Sequence, residues 1–424
     1  MRVCAGTRLN RKGGAIVTES VLDRLCGVHP NLEVWWDSSP LVFASWAKKT
    51  VEAAPPARRA VLEEQLGRIF VVDDPARSLV RGCTTNPPLS LTAVKSDQAA
   101  WDAWVDDLIL SRPGLSRYEY FWLTYKEVIR RGAEMMIPIW EASDGRYGYI
   151  SGQLDPRLLT ETDRMIETAK EIRAIAPNLM IKVPASTQGV EVVKVLTSLA
   201  IPTNVTTCFT LPQIWAVALA AREGLAIAEK NKVDTSRWRA VITMMIGRLT
   251  ENPVLDEQAR RRGISLSWTD KHWLGIYVFR KAFRLLQENG LPSKMLACSM
   301  RDGPVVAGRH RFWDIEKIAG EIVYTMPPYV LEPLFLRCSD LTFREEIHLD
   351  DVPEEVLWKL SKIPYVLQSW DENGMEIDQF NSHPATVATA EAFSKASAGL
   401  EEYVGQRMEA VKGRAKRSRA AAKA

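Results

Sequence analysis

The chain has 424 residues, 46% hydrophobic and 25% charged, which suits one large domain with extensions or two ordinary ones. Its longest apolar-leaning run, Leu211 to Ala221, is broken by Pro212 and Gln213 and falls far short of the ~20 residues that span a bilayer. The net charge of +3 resides in residues 412–424: without their six bases, 49 bases face 52 acids, so the body stands at −3 and carries no nucleic-acid footprint.

In chain order, the amino-terminal stretch MRVCAGTRLNRKGGAIV lacks the apolar core of a secretory signal, which predicts a cytoplasmic protein with no membrane partner. Short β-branched or apolar runs then alternate with longer helical patterns. That alternation predicts an α/β fold on a parallel sheet. Strands are expected at residues 32–36, 79–84, 147–153, 179–184, 203–208, 240–245, 295–299 and 321–326. Eight strands with helices between them predict a closed (β/α)8 barrel of the TIM type.

The unit around residue 182 shows the reasoning. LMIKVP is an apolar run broken by one lysine, and Ser186 or Thr187 then offers an oxygen to cap a helix. Val192, Val193, Leu196, Leu199 and Ala200 follow at helical spacing as the face that packs on the barrel, before Pro202 stops the helix.

Two stretches exceed a minimal barrel. Residues 89–146 read as a helical insertion after the second strand. Residues 331–411 continue beyond the eighth, with helices expected at 352–367 and 385–411. The division predicted is a catalytic barrel over 1–330, a helical carboxy-terminal extension packed on it over 331–411, and a basic, disordered tail over 412–424.

Barrel active sites lie at the carboxy-terminal strand ends. The polar residues there are Asp37, Thr84, Thr85 and Asn86, Ser151 and Gln153, Lys182, Asn204 and Thr206, Arg248 just beyond the sixth strand, and Ser299 and Arg301. A lysine between Ile181 and Val183 is either desolvated, which supplies the neutral amine that imine formation needs, or snorkels to solvent. Asp37 alone is either an acid–base group or a cap, Asn86 before a proline is also a turn residue, and the two arginines are also readable as surface charges. Taken together, a lysine, an acid, an amide and two planar guanidinium forks compose a site for a phosphorylated carbonyl compound. The six cysteines form no C-x-x-C pair and the five histidines no ligand-spaced pair, so no metal is expected.

These motifs resemble the transaldolase family. VWWDSS is similar to the first strand that carries its proton-transferring aspartate, and RGCTTNPPL to its second-strand T-T-N-P. IKVPASTQG looks like the Schiff-base strand, and IPTNVTTCFTLPQ like the fifth. The resemblance implies an imine on Lys182, with Asp37, Gln153 and Thr206 as its catalytic companions. It implies substrate contacts from Asn86, Asn204, Thr85, Ser151, Thr243 and Met245, and a phosphate site from Arg248, Ser299 and Arg301. It further implies dihydroxyacetone transfer from a ketose phosphate to an aldehyde, with small sugar phosphates as partners and no cofactor; a homodimer is one open assembly. The family's usual substrates are sedoheptulose 7-phosphate or fructose 6-phosphate with glyceraldehyde 3-phosphate, as in the pentose phosphate pathway.

The chain departs from the family in three ways. Gln153 stands where glutamate is usual, as it does in the related fructose-6-phosphate aldolases. Thr243 and Met245 replace a serine and a phenylalanine. The stretches 89–146 and 331–411 match the family poorly and are candidates for acceptor specificity. The alternatives kept open are an aldolase that releases dihydroxyacetone and a non-catalytic sugar-phosphate-binding relative.

Overall fold

A computed structural model describes residues 18–71 and 74–421; the amino-terminal stretch and the last three residues of the tail, on which two of the expectations above bear, lie outside them. Eight parallel strands close into a barrel in chain order: β1 Glu33–Trp36, β2 Val80–Thr84, β3 Tyr149–Gln153, β4 Leu179–Pro184, β5 Thr203–Cys208, β6 Ala240–Met245, β7 Ser293–Cys298 and β8 Val323–Met326, the last pairing with β1. The expected (β/α)8 barrel is therefore present, with helices between the strands. Both faces of each strand are covered, which is why runs such as EVWW and AVITMM are buried from end to end.

Some boundaries move. β3 begins at Tyr149 rather than at 147 because Gly148 takes φ +77° and packs on helix Arg117–Ala142, where a Cβ would stand 2.3 Å from the Trp140 nitrogen. After β4, Ser186 caps helix Thr187–Ser198 by accepting from the Gly189 amide at 2.9 Å. Val192, Val193 and Leu196 are buried as expected, but Leu199 is exposed. The helix stops at Ser198, ahead of Pro202, because Ala200 turns into the left-handed region and the Ile201 amide returns to the Leu196 carbonyl.

Three helices, Pro87–Ser96, Gln98–Ser111 and Arg117–Ala142, fill the interval between β2 and β3. Beyond β8 come Pro328–Leu336, Glu354–Leu360, Pro364–Trp370 and the 38-residue helix Pro384–Ala421. Pro364 divides the single helix expected over 352–367 into two. Residues 412–421, where a frayed end was expected, continue the last helix; their alanines, lysines and arginines are strong helix formers. No helix among the described residues is long and apolar enough to cross a membrane.

The last helix ties the two supernumerary regions together. Arg407 donates to Asp106 from Nε at 2.9 Å and to Asp102 from Nη1 at 2.9 Å, and Tyr403 donates to Asp102 at 2.9 Å. Arg414 also pairs with Asp106, and Arg157 donates to Glu401 at 2.8 Å.

Candidate active site

Strand register assembles the site. Gln153 on β3 is paired with Lys182 on β4, and Lys182 with Asn204 on β5, so three polar side chains stand abreast on one face. All three are buried; Lys182 is 4% exposed. Two residues back along β3, Ser151 Oγ accepts from Asn204 Nδ2 at 2.9 Å, while Thr243 on β6 donates to Asn204 Oδ1 at 2.6 Å. The Asn204 amide is thereby fixed by β3 and β6, which orients it beside the lysine.

Asp37 follows β1. Thr84 Oγ1 donates to its carboxylate at 2.5 Å and lies 2.6 Å from the Thr325 hydroxyl of β8. Burial raises the Asp37 pKa above the ordinary aspartate value, against the opposing pull of the Lys182 ammonium and the Thr84 hydrogen bond. A carboxylate held in its less favoured charged state accepts a proton more readily.

A narrow pocket lies beside Gln153 at one end of this row, lined by Gln153, Pro184, Ser186, Thr206, Thr386 and Phe393 among others. Gln153 Oε1 and Thr206 Oγ1, both buried, have no protein hydrogen-bond partner. The backbone of Gln153 is held by Tyr125, whose hydroxyl donates to its carbonyl at 3.0 Å and accepts from its amide at 2.9 Å. Thr207, next to Thr206, has φ +54°, a strained value for a β-branched residue and one concentrated at functional strand ends.

A second, wider cleft is lined by Arg248, Glu251, Ser299, Arg301, Tyr329 and Thr389 among others. Gly247 donates its amide to the Ser299 carbonyl at 3.0 Å, and any Cβ at Gly247 would lie 2.7 Å from Arg301 Cζ. Thus IGR and CSMRD pack directly on each other, which explains the glycine. Ser299 has φ +59°, so this loop too is strained. Arg301 Nη1 donates to the Ser299 carbonyl at 2.6 Å, and its amide donates to Asp314 at 2.8 Å. Asp314 also bonds His272 Nδ1 at 2.6 Å.

Three of the residues expected to contact substrate make contacts inside the protein. Asn86 Oδ1 accepts from the Leu89 amide at 2.9 Å and caps helix Pro87–Ser96, so its turn role is realised. Thr85 donates its hydroxyl to the Ser151 carbonyl at 2.6 Å, tying β2 to β3. Met245 is buried in register with Cys298 and is not a lining residue of either cleft described.

Sequence reasoning missed Glu251, Tyr329, Thr386, Thr389 and Phe393. Tyr329 stands three residues after β8, exposed at the mouth, and feels both Asp37 and Arg301 electrostatically. Inspection of the eighth strand end would have found it. The last helix was invisible from strand ends because it reaches the mouth from residue 384 onward.

Among the described residues no group of three or more His, Cys, Asp or Glu is arranged to hold a metal ion.

Comparison with known proteins agrees with this architecture. The family described as Transaldolase/Fructose-6-phosphate aldolase matches residues 73–402. A transaldolase of Thermobifida fusca (strain YX) is 32% identical over 176 residues, 41% of this chain and 47% of the relative. One from Thiobacillus denitrificans (strain ATCC 25259 / T1) is 30% identical over 203 residues, 44% and 55%. One from Mycolicibacterium smegmatis (strain ATCC 700084 / mc(2)155) is 33% identical over 175 residues, 41% and 46%. The chain spans about half the length of the curated relatives it matches.

Proposed function

Because the chain belongs to the transaldolase/fructose-6-phosphate aldolase family, we propose that it transfers a dihydroxyacetone unit from a ketose phosphate to an aldehyde through an imine on Lys182. The observation that carries this reading is the buried row Gln153–Lys182–Asn204, with Asp37 close enough for its carboxylate and the ammonium to interact. Small sugar phosphates are its partners in this reading, and the cytoplasm its setting.

In the cycle, Lys182 first loses its ammonium proton to solvent, the neutral Nζ attacks the ketose C2 carbonyl, and the carbinolamine loses water to give an iminium. Asp37 accepts the C4 hydroxyl proton, the C3–C4 bond breaks, and its electron pair moves into the iminium to form an enamine as the aldehyde leaves. The enamine carbon attacks a second aldehyde, Asp37 returns the proton, and water releases the new ketose from Lys182. Covalent attachment divides one difficult carbon–carbon step into easier ones. Gln153 Oε1 and Thr206 Oγ1, without partners inside the protein, suit a water molecule in this role. The phosphate end would enter the cleft of Arg248, Ser299 and Arg301.

A second reading has its own support. Gln153 matches the glutamine that fructose-6-phosphate aldolases of the same family carry at this position, which favours release of free dihydroxyacetone, with water supplying the proton to the enamine carbon. Product chromatography separates the two. Transfer requires that the ketose be consumed only when an acceptor aldehyde is present. Stoichiometric dihydroxyacetone without acceptor would establish the aldolase, and no turnover with any ketose would leave a binding protein.

A further inference from the structure

The two arginines of the second cleft are not equivalent. Arg301 has most of its five N–H donors engaged inside the protein: Nε and Nη2 reach both oxygens of Glu251, at 2.9 and 2.6 Å, and Nη1 reaches the carbonyl and hydroxyl of Ser299, at 2.6 and 3.2 Å. Its guanidinium also packs close against Gly247, which restricts where it can swing. Arg248 makes no ion pair and no hydrogen bond from its side chain to another described residue; its guanidinium lies 5.2 Å from the Phe393 ring centroid. The cleft thus sets one uncommitted cation beside a neutralised pair, where two free guanidinium forks were expected.

We propose that Glu251 sets the charge selectivity of the substrate site: Arg248 receives the anionic end, and Glu251 withholds Arg301 from it. The inference deepens the proposed function and rests on reading this cleft as the phosphate end. A dianionic phosphate placed here meets one free arginine and is repelled by the half-exposed Glu251 carboxylate. A neutral or singly charged sugar end avoids that repulsion. The site therefore discriminates less strongly in favour of phosphorylated sugars than a two-arginine clamp would. Glu251 is a specificity-determining residue that touches no reacting atom.

Calorimetric titration of the full chain with inorganic phosphate tests this without turnover. Glu251→Gln keeps size and polarity on a half-exposed side chain, and should tighten phosphate by about ten- to a hundredfold, the range of one charge-assisted hydrogen bond. In an Arg301→Ala background the same change should gain less than about threefold, because the released donor is absent. Arg248→Ala should abolish measurable binding. Phosphate affinity unchanged or weakened in Glu251→Gln, or a full gain that persists without Arg301, would overturn the assignment. Tightening in Glu251→Gln with no ketose turnover would uphold this inference while sinking the catalytic reading, so the two fail separately.

Discussion

A carboxylate can accept a proton from a sugar hydroxyl and a carboxamide cannot, so in the proposed cycle Asp37 would carry the proton traffic and Gln153 would only orient. Positioned acid–base groups contribute about a hundred- to ten-thousandfold, and Asp37→Asn should lower kcat within that range while Gln153→Ala costs much less. Burial raises the Asp37 pKa, and the proposed cycle needs the group deprotonated. Activity should therefore climb with pH through a limb lying above the ordinary aspartate value, and Asp37→Asn should erase that limb. The same burial disfavours the charged carboxylate in the folded state, so Asp37→Asn should leave Tm unchanged or raise it; a large fall in Tm would mark a structural acid instead. At this scale the sequence was legible where polar side chains sit on a strand. Lys182 and Asn204 could be named from two short runs because register alone brings them together. Glu251 was not, because its partner lies 50 residues away and only the packing of IGR on CSMRD joins them.

Helix Pro384–Ala421 lends Thr386, Thr389 and Phe393 to the two clefts, and its second half is fastened by Arg407 to Asp102 and Asp106. The fastening lies far along the helix from the mouth, yet it fixes the element that walls the mouth. Arg407→Glu turns two attractions into repulsions. It should cost about 1.5–3 kcal/mol, the scale of hydrogen bonds to charged groups. Hydrogen exchange should then speed up along residues 384–411 before it changes in the barrel strands, and KM should rise more than kcat falls. Uniform loss of protection across the chain would show that the helix is part of the barrel's own cooperative unit. Helix 187–198 was readable from its Ser186 cap and its apolar spacing. The end at Ser198 was not, since it depends on Ala200 turning left-handed, and the clamp on helix Gln98–Ser111 depends on contacts about 300 residues apart.

The barrel as a whole separates stability from chemistry by its two ends. Opposite the site, at the amino-terminal end of β1, buried Glu33 accepts from Arg239 at 2.5 Å and from Lys294 at 2.9 Å. Burial works against its charge, but the two cations win and hold its pKa down at about 2, against an ordinary value of 4.5. A depressed acid contributes stability above its unfolded pKa and loses it as pH falls through the folded one. Denaturant unfolding should therefore show a Glu33-dependent loss between pH 4.5 and about 2. Glu33→Gln should cost about 1.5–3 kcal/mol at neutral pH by leaving two part-buried cations without their carboxylate, and should flatten that acid window. An identical pH dependence in the variant would contradict the role. The eight strands were legible because a barrel buries both faces of every strand and so writes each as a continuous apolar run. The long excursions after β2 and β8 follow no repeating rule, and their docking had to be seen.

The claim at the centre is the imine at Lys182, and borohydride reduction in the presence of a competent ketose phosphate reads it directly. Intact mass should rise by one dihydroxyacetone unit joined through a reduced C–N bond, peptide mapping should locate it within LMIKVP, and Lys182→Met should abolish it. An adduct mapping to another lysine, such as Lys194 or Lys271, or one that survives in Lys182→Met, would contradict the account.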